Sequence, residues 1–78
     1  MRFSCVNHFM PEHCTGYTEE VLVNKYDDGT VEVTWSHCGN GKGCFWTEPE
    51  DITHSYANLG LFEILQSLKK EGFSIYRC

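Results

Sequence analysis

The chain has 78 residues and a net charge of −5, with 41% hydrophobic and 14% aromatic residues. That length holds one domain, 1–78, whose folding withdraws only about 60% of the unfolded surface from water, and the composition is far from the apolar-poor signature of disorder. Six Lys and Arg residues scattered along the chain argue against direct nucleic-acid binding, which needs clustered cations, and no run approaches the roughly 20 apolar residues of a membrane span.

Met1 to Met10 carries one charge and no apolar stretch of signal-peptide length. Five cysteines cannot all pair within one chain, so free thiols or a metal site are expected rather than a disulfide framework, in a reducing, cytoplasmic setting.

In chain order, Arg2 to His8 alternates weakly and reads as a strand. Phe9 to Tyr17, with Pro11 and Gly16, reads as a loop. The clearest element is a hairpin over 20–36, with strands Glu20 to Tyr26 and Thr30 to Ser36. A two-residue Asp28-Gly29 turn sets Leu22 against Trp35 and Asn24 against Val33, mixing the faces. A three-residue loop, Asp27-Asp28-Gly29, sets Val21 against Trp35 and Val23 against Val33, so the apolar faces align and Gly29 supplies the left-handed residue of a bulge.

After a glycine-rich loop, Cys38 to Gly43, the aromatic run Cys44 to Thr47 is expected to be a further strand ended by Pro49. From about Ser55 or Asn58 to Lys70 the period becomes helical, with Leu61, Ile64, Leu65 and Leu68 on one face and Phe62 beside them, and Gly60 weakens the first turn. Lys69 and Lys70 complement the helix dipole, and Gly72 sits where a left-handed residue ends a helix. Phe73 to Arg77 then alternates as a last strand. The expected fold class is α+β: a small, mostly antiparallel sheet of four to five strands, one C-terminal helix on one face, and a final strand over 73–77.

Eight nitrogen and sulfur ligands, Cys5, His8, His13, Cys14, His37, Cys38, Cys44 and His54, make metal binding the first chemistry to test. The nearest pairs are Cys5-x2-His8 and Cys38-x5-Cys44, and the second is long for a zinc knuckle. No cofactor is the first expectation, and zinc held by Cys5, His8, Cys38 and Cys44 is the alternative. The segment His37 to Cys44 resembles the His-Cys-x5-Arg loop of cysteine phosphatases, but Cys44 stands where the phosphate-gripping arginine belongs. A thiol enzyme or redox sensor centred on Cys38 is therefore a further alternative, and the expected protein is no enzyme.

Trp35, Phe45, Trp46, Tyr56, Phe62, Phe73 and Tyr76 exceed what one helix covers, so part of this set is expected at a protein partner or homodimer face, with Trp35 and Phe62 assigned to the core. Six acids between Glu12 and Glu32 face Lys25 alone. In general style, a short acidic chain with no catalytic signature resembles the small inhibitors and regulators that phages and other mobile elements encode. That resemblance implies a non-catalytic protein whose acidic, aromatic surface occupies a basic functional surface of a larger protein. Asp27, Asp28, Glu48, Glu50, Asp51 and Trp46 are the expected partner-binding residues.

Overall fold

The computed structural model describes residues 1–9, 17–38 and 48–78. Strands β1 (Arg2–Phe9), β2 (Tyr17–Lys25), β3 (Val31–Cys38), β4 (Glu50–Asp51) and β5 (Ser74–Arg77) form one sheet in the order β4-β3-β2-β1-β5. Every pairing is antiparallel. Helix α1 (Leu61–Lys70) packs on one face, and β5 returns beside β1, which is the expected α+β architecture. The sheet is open, with β4 and β5 as its edges.

The hairpin adopts the register that aligns its apolar faces: Val21 lies opposite Trp35 and Val23 opposite Val33. The Tyr26 N–H donates to the Thr30 carbonyl at 2.9 Å and the Gly29 N–H to the Tyr26 carbonyl at 3.0 Å. Gly29 holds φ +91°, a conformation that a side chain resists. On the other side of β2, Phe3 pairs with Val23 and Cys5 with Val21, so the alternation of three strands feeds one apolar face. Cys5, Val21, Val23 and Val33 meet Leu61, Ile64, Leu65, Leu68 and Phe73 there, with Trp35, Tyr56 and Ile52 packed around them.

Two sequence expectations change, and a third lies outside the described residues. The helix begins at Leu61 rather than near Ser55 or Asn58, because Ala57 turns extended (ψ 140°), Asn58 is left-handed (φ 67°) and Gly60 is extended as the N-cap (ψ 166°). Residues Thr53–Tyr56 form a separate 3₁₀ turn. Phe62, assigned to the core, is 72% exposed, since at 100° per residue it falls outside the stripe set by Leu61, Ile64, Leu65 and Leu68. The expected strand over Cys44 to Thr47 lies outside the described residues. The described neighbour of β3 is β4, just past Pro49, with Glu50 opposite Trp35 and Asp51 opposite Thr34.

The helix ends as its sequence indicates. Gly72 takes φ +102°, its N–H reaches the Lys69 carbonyl at 3.1 Å, and the Phe73 N–H reaches Leu68 at 3.1 Å. These two bonds form a Schellman ending, and Phe73 packs back into the cluster that holds Leu68.

Candidate functional site

The acids expected to bind a partner are all exposed where they are described: Asp27 and Asp28 on the hairpin tip, and Glu48, Glu50 and Asp51 at β4. Both groups flank β3. Thr34, opposite Asp51, lies four residues beyond Thr30, so roughly 13 Å of strand separates the tip from β4. They form two points along one border of the sheet rather than one cluster.

Each point is anchored. The Asp28 Oδ1 accepts the Thr30 N–H at 2.8 Å, and hydrogen bonds from the Thr30 side chain and backbone hold this carboxyl below the usual carboxylate range. The Asp51 Oδ1 accepts both the Thr53 N–H at 2.8 Å and the Thr53 hydroxyl at 2.6 Å. Those Thr53 bonds, side chain first, likewise lower the Asp51 pKa, with His54 adding a smaller attraction. The Thr53 Oγ1 also accepts the Val33 N–H at 3.0 Å, while the Ile52 N–H donates to the Val33 carbonyl at 2.9 Å. A threonine hydroxyl therefore continues the β3–β4 ladder where the backbone turns away. Both turns present a fixed, ionised carboxylate to solvent.

The turn after β4 also builds a crevice that no spacing in the sequence reveals. About 270 Å³ lies between the hairpin tip and the 3₁₀ turn, lined by Gly29, Val31, Val33, Thr53, Tyr56, Ala57, Asn58, Leu59 and Ile64. A shallower groove of about 730 Å³ follows the solvent side of α1 past Glu63, Gln66, Lys69 and Lys70, with charges of both signs.

A second cluster sits at the opposite end of β3. The Trp35 Nε1–H donates to the Glu19 Oε2 at 3.0 Å, and the Trp35 and His37 rings lie 4.7 Å apart. Glu19 is directly opposite His37. Extending the hairpin register by two residues was the sequence signal that locates this group.

Of the expected zinc ligands, the structure describes the side chains of Cys5 and His8 alone. Cys5 is fully buried against the helix-covered face, whereas His8, three residues on, is exposed on the other face and bonds through Nδ1 to the Thr18 Oγ1 at 2.9 Å. Cys44 and Trp46 lie outside the described residues, as does the side chain of Cys38. Among the described residues no three His, Cys, Asp or Glu side chains are grouped to hold a metal ion. Burial, then the nearby Cys78 and Glu20, push the Cys5 thiol up to about 11, which keeps it protonated and a poor nucleophile near neutrality. No described helix is long and apolar enough to cross a membrane. Comparison with protein-family models, curated proteins and solved structures finds no match.

Proposed function

We propose that this chain is a small non-catalytic binding protein that presses its acidic border against a basic functional surface of a larger protein and excludes that surface's normal ligand. The observation that carries the reading is the pair of hydrogen-bonded, exposed carboxylates, Asp28 and Asp51, standing beside Asp27 and Glu50 on one border of a chain of net charge −5. Acids fixed in turns lose little freedom on binding and stay ionised, so they steer a basic partner toward one edge. A partner that handles nucleic acid has such a surface. Cys5 and Cys78 are free thiols, which fits action in the reducing cytoplasm.

The test is affinity capture from a lysate with the wild-type chain and with the double variant Asp27→Lys, Asp28→Lys, read by mass spectrometry. A basic protein retained by the wild type and lost by the variant is the expected result. Equal recovery of the same proteins by both chains would overturn the reading.

A further inference from the structure

We propose that β5 pairs antiparallel with β5 of a second copy of this chain, joining two five-stranded sheets into one. The seam lies on the edge of the sheet opposite β4 and is independent of the proposed acidic role. β5 has no proline or lysine and a single charge, Arg77, so it lacks most of the devices that keep an edge strand from pairing. Ser74, Tyr76 and Arg77 are exposed, and Ile75 is half-buried. The hydrogen-bond phase fixes which backbone groups are open. The Cys78 N–H donates to the Arg2 carbonyl of β1 at 3.0 Å, and bonding direction alternates along a strand. Ser74, Tyr76 and Cys78 therefore face β1, whereas the N–H and C=O of Ile75 and Arg77 point out of the edge.

The residue pattern selects a second copy and one register. Centred on Tyr76, two copies set Ile75 opposite Arg77 and exchange hydrogen bonds through every outward group. Tyr76, which pairs with Ser4 on the face away from α1, then meets Tyr76 of the second copy, and Ser74 meets Cys78, so no charge directly opposes a like charge. Centring on Arg77 would oppose two guanidiniums, and centring on Ile75 would require the Phe73 N–H, which already bonds the Leu68 carbonyl. Phe62 adds apolar surface beside the seam. Ile64 lines the crevice on the β3 side of α1, and Phe62 stands about 160° around the axis from it, on the flank toward β5. Phe62 and Tyr76 are 72% and 58% exposed, and pairing gives both rings apolar contact. Glu50 and Asp51 lie on β4, about 19 Å across the sheet from β5, so the paired copies carry these acids on their outer edges. A four-residue strand makes a seam below the roughly 1,000 Å² of a stable interface, so the dimer is weak and reversible.

Analytical ultracentrifugation of the full chain under reducing conditions, from about 10 μM to about 1 mM, tests this together with amide exchange read by NMR. The average mass is expected to rise toward twice the monomer value. Exchange at the Ile75 and Arg77 amides is expected to slow about threefold or more over the same range, while Asp28 at the hairpin tip is unchanged. Tyr76→Lys, which sets two cations on the two-fold axis, is expected to stay monomeric throughout. Arg77→Pro, which removes an outward donor and none of the bonds to β1, is expected to do the same and serves should Tyr76→Lys disturb the fold. A wild-type chain that is monomeric at the highest concentration overturns the proposal. So does a dimer whose Ile75 and Arg77 amides exchange as fast as in dilute solution, or one that survives both substitutions.

Discussion

Cys5 shows how one buried group couples folding to pH. In the unfolded chain its thiol ionises near its ordinary value of 9.0, whereas in the folded chain it keeps its proton up to about 11. The unfolded state therefore binds fewer protons between those values, so the contribution is complete below pH 9 and disappears as pH rises toward 11. The size is roughly 2–3 kcal/mol. Tyr56, raised mainly by burial, acts in the same direction above pH 10. Urea unfolding at pH 8 and pH 10.5 is expected to show a steeper alkaline loss for the wild type than for Cys5→Val. Parallel losses would refute the assignment. Asp28 and Asp51 behave oppositely: their lowered pKa values stabilise the fold above the ordinary carboxylate range, and that contribution is lost as pH falls below about 4. Melting curves from pH 6 to pH 2.5 should show a smaller acid loss in Asp51→Asn than in the wild type.

At the scale of elements, the hairpin was legible because strand parity and one glycine sufficed. Of the two tight turns open to Asp27-Asp28-Gly29, only the three-residue loop brings Val21, Val23, Val33 and Trp35 to a common face, and Gly29 satisfies the backbone that this loop requires. The helix end was equally legible, since Lys69, Lys70 and Gly72 each answer a distinct demand of a terminating helix. Its start was not: the N-cap is Gly60, which makes no side-chain cap hydrogen bond, and the break before it comes from backbone angles that the apolar period does not encode. The same elements give two stability predictions, read by urea denaturation. Gly72→Ala is expected to cost about 1 kcal/mol; a Cβ there would meet Asn7 only at ordinary contact distance, 3.7 Å, so the cost lies in the backbone. Leu68→Ala, emptying a site that is 1% exposed, is expected to cost about 2–5 kcal/mol, whereas Phe62→Ser should stay within about 0.5 kcal/mol of the wild type. A large loss from Phe62→Ser would contradict its position outside the buried stripe.

At the scale of the whole molecule, the sequence showed which residues carry charge but not how the fold groups them. Asp27 and Asp28 were legible as a tip because a turn exposes its central residues, whereas Glu50 and Asp51 join β3 only through a two-residue strand too short to leave a period. The crevice was illegible for the same reason: Gly29 and Leu59 become neighbours through that short pairing and the threonine that extends it. Of the expected zinc ligands, Cys5 and His8 stand three apart on a strand, and that odd separation sends them to opposite faces, while Cys44 and the Cys38 side chain lie outside the described residues. The most direct measurement is the association rate of the chain with its captured partner, followed by stopped flow from about 0.05 to 0.5 M salt. The wild-type rate is expected to fall about tenfold or more across that range, while Asp27→Lys, Asp28→Lys starts slower and stays nearly flat. A wild-type rate indifferent to salt, matched by the double variant, would contradict electrostatic occupancy.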